Sequence, residues 1–200
     1  IKSSDVEIND IIFINGYTNL DENEVYSGGA IYSKGHNVLI KNSVFKNNTA
    51  KENGGALFAT GKTAKEDAKD LTIANTEFVG NTSTYSGGAI SLKSGNRAIF
   101  TDTTFDGNTS LATKNGDGDR FGGGAVFVNA CPLELHNVTM TKNNSSYNGG
   151  AIYLYNNGDI NNCTFTDNNA TNNGGAIYFN NDGNVTNCAF VNNSASEGNA

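Results

Sequence analysis

Apolar and polar residues along this chain follow a short repeated pattern that differs from that of a helix. The stretch from Gly149 to Ala170, "GGAIYLYNNGDINNCTFTDNNA", contains short runs such as "AIYLY" and "CTF" that are separated by Asn and Gly. Alternation with a period of two predicts β-strands, whereas an amphipathic helix needs apolar residues at spacings of three and four. The pattern therefore predicts an all-β protein made of very short strands.

Two sequence motifs recur in a fixed order along the chain. Gly-Gly-Ala followed by an aliphatic residue occurs six times, beginning at Gly28, Gly54, Gly87, Gly123, Gly149 and Gly174. After it comes Phe or Met with Asn three residues later, at Phe45/Asn48, Phe78/Asn81, Phe105/Asn108, Met140/Asn143, Phe165/Asn168 and Phe190/Asn193. An earlier copy begins at Phe13, with Gly16 in the Asn position. Ordered repeats of this length indicate a solenoid in which each repeat forms one coil.

Aligned repeats form columns with separate physical roles. One column lies three residues before each Phe or Met and is always Asn or Asp: Asp10, Asn42, Asn75, Asp102, Asn137, Asn162 and Asn187. These residues tolerate a left-handed backbone, so we expect a sharp bend there and a ladder of side-chain amides. The aliphatic residue of each Gly-Gly-Ala motif is expected to point inward. The columns predict a parallel β-helix of about seven coils of about 25 residues, with three short strands per coil.

Composition and charge narrow the function classes. The chain of 200 residues has 34 Asn and 24 Gly, and its net charge of −7 argues against nucleic-acid binding, which needs a basic surface. No apolar run reaches the roughly 20 residues that span a bilayer. Because the sequence starts and stops within repeats, we expect residues 1–200 to be a single, monomeric segment of a longer protein. Localisation signals and any anchor would then lie elsewhere.

Cys163 and Cys188 occupy the same column as Ser43, Thr76, Thr103 and Val138. The small neighbours favour inward-pointing free thiols over a disulfide. Coils stacked at about 4.8 Å would nevertheless allow a bridge, so the pairing stays open at this point.

The six ordered motif pairs resemble the repeats of the polymorphic outer-membrane proteins of chlamydiae. They also resemble the repeats of adhesin-like surface proteins of gut methanogenic archaea, which the Asn-rich style matches more closely. The resemblance covers nearly the whole chain. It implies a right-handed β-helix, an extracellular location at the cell surface, and adhesion to a cell-surface protein or glycan. It supplies no catalytic residues.

One column has no obvious role in folding. The residue after each inward aliphatic side chain is aromatic in five of six repeats, at Tyr32, Phe58, Phe127, Tyr153 and Tyr178. Alternation places this aromatic column on the outer face, where it could bind sugar rings or a protein partner. The alternative is that aromatic residues suit strands and simply pack on one another.

Three insertions interrupt the repeats, at residues 17–27, 60–70 and 111–122. Such loops can carry binding residues on a rigid scaffold, or be tolerated surface segments. Within the third, Asn115, Asp117 and Asp119 resemble the start of a calcium loop. The twelfth loop position holds Val126 in place of the usual Glu. A flexible turn without a cofactor is therefore the main expectation, and Ca²⁺ the alternative.

Catalytic constellations are not evident in the sequence. No two acids stack on neighbouring coils between the Phe and Asn of the second motif, and His36 and His136 lie on different coils. The sequence therefore predicts a non-catalytic β-helical adhesin segment. A polysaccharide-active enzyme of the pectate-lyase type is one alternative, because paired carboxylates on adjacent coils would suit glycosidic chemistry. A purely structural stalk is the other.

Overall fold

The computed structural model describes residues 1–2, 5–18, 26–60, 71–95, 97–113 and 121–198. Every regular element in these ranges is a short strand. The first strands are β1 (Val6–Asn9), β2 (Ile12–Ile14), β3 (Ile31–Ser33), β4 (Val38–Lys41), β5 (Val44–Lys46), β6 (Thr49–Ala50), β7 (Leu57–Thr60), β8 (Leu71–Ala74), β9 (Glu77–Val79), β10 (Thr82–Ser83), β11 (Ile90–Ser94), β12 (Ala98–Thr101) and β13 (Thr104–Asp106). The remainder are β14 (Thr109–Ser110), β15 (Val126–Val128), β16 (Leu133–His136), β17 (Thr139–Thr141), β18 (Asn144–Ser145), β19 (Ile152–Leu154), β20 (Gly158–Asn161), β21 (Thr164–Thr166), β22 (Asn169–Ala170), β23 (Ile177–Phe179), β24 (Gly183–Thr186), β25 (Ala189–Val191) and β26 (Ser194–Ala195).

The strands form four parallel sheets that run along the rod. Sheet I is β1-β4-β8-β12-β16-β20-β24, sheet II is β2-β5-β9-β13-β17-β21-β25, sheet III is β6-β10-β14-β18-β22-β26, and sheet IV is β3-β7-β11-β15-β19-β23. Each strand pairs with its equivalents one repeat before and after, so that Ile152 aligns with Ile177 and Phe165 with Phe190. The predicted parallel β-helix is confirmed, and the seven strands of sheets I and II match the expected seven coils.

Each complete coil has four strands, whereas the sequence pattern predicts three. The additional strand is the two-residue element of sheet III, such as β6 or β10. It forms because the residue before the motif Asn takes a left-handed backbone, with φ of 55° at Asn47 and 53° at Lys142. This second bend turns the chain onto a separate wall before the next Gly pair.

The core is filled by columns of side chains from three walls. Phe13, Phe45, Phe78 and Phe105 stack along sheet II with centroid separations of 4.7, 4.8 and 4.9 Å. The aliphatic residues after Gly-Gly-Ala point into the same core, as Leu57, Ile90 and Val126 illustrate. Burial of such large apolar side chains supplies the main favourable term for folding. The predicted inward columns are therefore confirmed.

The Asn and Asp column forms the first bend of each coil, as predicted. Its members have left-handed backbones, with φ of 50° at Asn42, 45° at Asn75 and 56° at Asn137. Their side chains lie at the surface, where Nδ2 of Asn75 donates to Oδ1 of Asn42 over 2.8 Å. This outer ladder links neighbouring coils at a position where most residue types would be strained.

The Asn of the second motif forms a separate ladder inside the protein. Asn48, Asn81, Asn108, Asn143 and Asn168 are all fully buried. Each Nδ2 donates to Oδ1 of the Asn in the next coil and to the carbonyl oxygen of a Phe or Met in the previous coil. Every buried amide in the row is thus paired, which removes the cost of burying it.

The two glycines of each pair are required for different reasons. The first has a left-handed backbone, with φ of 61° at Gly87, that only glycine adopts without strain. The second allows the coils to approach closely, because a Cβ on Gly88 would lie 2.0 Å from the carbonyl oxygen of Gly124. Both are backbone requirements of the bend between sheets III and IV.

Candidate functional site

The aromatic column lies on the outer face of sheet IV. Its neighbours in the strands belong to the hydrophobic core, whereas the aromatic residues themselves do not. The rings contact one another between coils, with centroids 5.4 Å apart for Phe127–Tyr153 and 4.9 Å apart for Tyr153–Tyr178. Ser91 interrupts the column, and its hydroxyl lies 3.2 Å from that of Ser86. The predicted outward orientation is confirmed.

The column is, however, not open to solvent along its whole length, and ligand binding by its residues stays a prediction. Phe58, Phe127 and Tyr153 are only 4%, 1% and 6% exposed. Phe121 packs on Phe127 with centroids 5.2 Å apart, and the ammonium group of Lys93 lies 5.9 Å from the ring centroid of Phe58. Side chains from neighbouring segments and coils therefore cover the middle of the column.

The two ends of the column remain half-buried, at Tyr32 and Tyr178. At the first end, Nζ of Lys34 lies 5.4 Å from the ring centroid of Tyr32, a distance that permits a cation–π interaction. Among the described residues, no Lys or Arg lies over the ring of Tyr178, which leans against Tyr153 at an interplanar angle of 45°. The second end thus offers a neutral aromatic surface.

Two further tyrosines, Tyr147 and Tyr155, lie near this second end. Burial raises the pKa of Tyr153 to about 12. Smaller contributions in the same direction come from three nearby hydroxyls, those of Tyr178, Tyr155 and Tyr147. Tyr155 is 40% exposed. We call Tyr147, Tyr153, Tyr155 and Tyr178 the tyrosine cluster.

Tyr147 and Tyr155 were not predicted from the sequence, although a signal for Tyr155 is present there. It follows Tyr153 by two residues and therefore projects from the same outer face of the chain. The corresponding positions in the neighbouring repeats hold Asn129 and Asn180. Its spacing of two residues from an outward aromatic ring thus predicts the position of Tyr155, whereas the position of Tyr147 depends on the path of the chain before Gly149.

A charged group on the outer face of sheet I was also missed. Nη1 of Arg97 lies 3.1 Å from Oε1 of Glu134, and Nε2 of His136 lies 3.9 Å from Oε2 of Glu134. Asp159 aligns with Glu134 on the next coil and accepts a hydrogen bond of 3.4 Å from Nδ2 of Asn184. Between the Phe and Asn of the second motif, no two acids align on neighbouring coils. The acids that align across coils lie ahead of it, in sheet I.

The structure does not describe the residues of the other predicted sites. Asn115, Asp117 and Asp119 lie outside the described residues, as does most of each of the three insertions. Within the described ranges, no three His, Cys, Asp or Glu side chains form a group that could hold a metal ion. The calcium site therefore stays a prediction.

An apolar hollow of about 500 Å³ is present at the last coil. Ile177, Phe179, Val185 and Phe190 contribute to its wall. These side chains continue the inward columns of sheets I, II and IV. The hollow therefore continues the core columns at the last described coil.

Comparison with protein families decides the fold family. Residues 2–196 match the family described as a right-handed β-helix region. The chain belongs to this family. The right-handed β-helix that the family resemblance implied is thereby established, while the narrower repeat family is not. Comparisons with curated proteins and with solved structures returned no match. In the described part of this right-handed β-helix, no helix is long and apolar enough to cross a membrane.

Proposed function

We propose that this β-helix is a non-catalytic adhesin segment of an extracellular cell-surface protein, and that the tyrosine cluster contacts its ligand. The observation that carries the proposal is the position of Tyr155 and Tyr178, which lie on the outside of a rigid rod. Neither ring is needed to fill the core. The extracellular location is supported by the resemblance of the motif pairs to surface proteins.

The chemistry of the cluster suits a glycan. A tyrosine ring offers an apolar face for the C–H groups of a sugar, and its hydroxyl can form hydrogen bonds with sugar hydroxyls. The backbones of Tyr153 and Tyr178 are held by the pairing of β19 with β23, and Tyr155 directly follows β19. Preorganised rings lose little conformational freedom on binding, which favours affinity. A neutral pyranose is therefore the ligand class that we propose.

A glycan array tests the proposal. We expect the protein to bind a subset of neutral glycans, and Tyr155→Ala or Tyr178→Ala to weaken that binding at least about tenfold, because each removes a contact worth roughly 1.4 kcal/mol. Tyr17→Ala is the matched control, because Tyr17 is 54% exposed and lies near the opposite end of the rod. Binding that survives both cluster substitutions would exclude the tyrosine cluster, and an absence of any ligand would favour a structural stalk.

A polysaccharide-active enzyme is a second candidate, favoured by Glu134 and Asp159 on sheet I. Adjacent parallel strands lie about 4.8 Å apart, which brings two aligned carboxylates within the range of about 5 to 10 Å used in glycoside hydrolysis. Release of new reducing ends from a polysaccharide, abolished by Glu134→Gln and by Asp159→Asn, would support this function. Activity that persists in both variants would remove these acids from consideration.

A further inference from the structure

Cys163 and Cys188 are stacked on adjacent coils near the last turn of the rod. The flanking residues are in register on both sides, since Asn161 aligns with Thr186 and Thr164 with Ala189. The backbone N–H of Cys163 donates to Sγ of Cys188 over 3.3 Å. Neighbouring strands about 4.8 Å apart place the two Cα atoms within the separation that a disulfide spans.

Both thiols are free, and each occupies the same position in its coil. Sγ of Cys163 lies 3.2 Å from the carbonyl oxygen of Asn161, and Sγ of Cys188 lies 3.1 Å from that of Thr186. The hydroxyls of Thr76 and Thr103 make the same contact with the carbonyl two residues earlier. Thr can therefore replace either Cys without loss of the local hydrogen bond.

The two thiols differ in their access to solvent. Cys163 is 1% exposed, whereas Cys188 is only partly buried. Burial, together with the neighbouring Cys188, raises the pKa of the Cys163 thiol to about 11. Cys188 is thus the thiol that a dissolved reagent reaches first, and Cys163 is the nucleophile closest to any adduct formed on it.

We propose that Cys163 and Cys188 are a redox-active pair that forms a disulfide between adjacent coils on exposure to a small-molecule disulfide. The Cys188 thiolate attacks one sulfur of the reagent, whose S–S bond breaks and releases one thiolate. Sγ of Cys163 leaves its carbonyl acceptor, loses its proton and attacks Sγ of Cys188, which expels the second thiolate. The two cysteines are oxidised, the reagent is reduced to two thiols, and the two cysteine protons end on those thiols.

Oxidised glutathione and the reduced chain test the proposal. We expect the intact protein to lose the mass of two hydrogen atoms and to yield one cross-linked peptide pair that contains Cys163 and Cys188. Thermal unfolding should shift to a higher temperature after oxidation and return after reduction, because the bond restrains the unfolded chain. Cys131 is 2% exposed and precedes β16, outside this column, so its thiol should stay unmodified until the protein unfolds.

Two variants separate the roles of the thiols. Cys163→Thr should accumulate a stable glutathione adduct on Cys188, and Cys188→Thr should remain unmodified under native conditions. Neither variant should show the reversible thermal shift. A lasting adduct on the unaltered chain, a bridge to Cys131, or three unreactive thiols in the folded protein would each overturn the proposal.

Discussion

Nδ2 of Asn81 donates a hydrogen bond to Oδ1 of Asn108 over 2.9 Å, and the backbone N–H of Asn81 donates to the same oxygen over 3.0 Å. Nδ2 of Asn108 in turn donates to the carbonyl oxygen of Phe78 and to Oδ1 of Asn143. One side chain therefore pairs with groups on two other coils. The geometry repeats from coil to coil, so the ladder connects coils that are far apart in sequence.

Replacement of Asn108 by Ala should strongly destabilise the protein. The change removes the buried partner of the Asn81 backbone N–H and of the Phe78 carbonyl, at a cost of about 1–3 kcal/mol for each unpaired group. Nδ2 of Asn81 also loses one of its two acceptors and keeps the carbonyl of Phe45. We expect the free energy of unfolding to fall by at least roughly 3 kcal/mol in urea denaturation followed by circular dichroism. Asn169→Ala is the control, because its amide ladder is partly solvated and water can replace the lost contact. Equal losses in both variants would refute a special role for the inner ladder.

Ser83 is a buried hydroxyl that the structure leaves without a partner among the described residues. Its column in sheet III holds Ala50 on the preceding coil. Ser83→Ala should therefore leave the melting temperature unchanged or raise it. The corresponding gain in the free energy of unfolding is up to about 1 kcal/mol. Ser145→Ala should lower it, since Oγ of Ser145 donates to the carbonyl of Asn148 over 3.0 Å. Differential scanning calorimetry of the two variants compares them directly, and a lower melting temperature for Ser83→Ala would contradict the expectation.

Glycine can be required because a side chain would clash or because the backbone is left-handed, and Gly88 and Gly107 separate these two reasons. A Cβ on Gly88 would lie 2.0 Å from the carbonyl oxygen of Gly124 and 2.6 Å from backbone atoms of Thr109. Gly88→Ala should thus cost about 3 kcal/mol or prevent folding.

Gly107→Asn serves as the matched control for this steric argument. Gly107 has a φ of 62° but would place its Cβ more than 4 Å from any neighbour. Asn47 and Asn192 already adopt a left-handed backbone in the same column. We expect a change below about 1 kcal/mol, measured by urea denaturation. If Gly88→Ala and Gly107→Asn change the stability equally little, close packing between coils is not the reason that the Gly pairs require glycine.

Tyr153 should make the stability depend on alkaline pH. Its pKa is raised from 10.0 to about 12 by burial, so the folded state disfavours the tyrosinate form. The stability that the neutral Tyr153 contributes to the folded state is fully present below about pH 10. It is lost as pH rises from about 10 to 12, because Tyr153 releases its phenolic proton at a lower pH in the unfolded chain than in the folded one. Tyr153→Phe should flatten part of the fall in melting temperature across this range, and Tyr155→Phe should not. Parallel curves for the unaltered protein and Tyr153→Phe would show that Tyr153 ionises normally.

The repeats of the sequence predict most of the fold for a simple reason. Ile, Leu, Val and Phe at fixed positions in each repeat must face inward, because any other register would expose one column from every coil. The Asn and Asp column is equally informative, since few other residues adopt a left-handed backbone. The short strands of sheet III escaped prediction because two residues, such as Thr49 and Ala50, are too few to show alternation.

The repeat pattern predicts the candidate sites less well than the fold. Tyr153 and Tyr178 lie outward, as alternation requires, but alternation says nothing about what covers an outward ring. Phe121 reaches Phe127 from the preceding segment, and Lys93 reaches Phe58 from the following coil. The pairing of Arg97 with Glu134 likewise joins side chains that are 37 residues apart.

Residue type and period alone establish a parallel β-helix, its inward columns and its bends, because those properties repeat with every coil and are constrained by the backbone. The exposure of Tyr155 and Tyr178, the alignment of Glu134 with Asp159, and the contact of Cys163 with Cys188 are properties of stacked coils. They depend on the register between coils and on the path of the connecting segments, which vary from one repeat to the next and are set only when the chain folds.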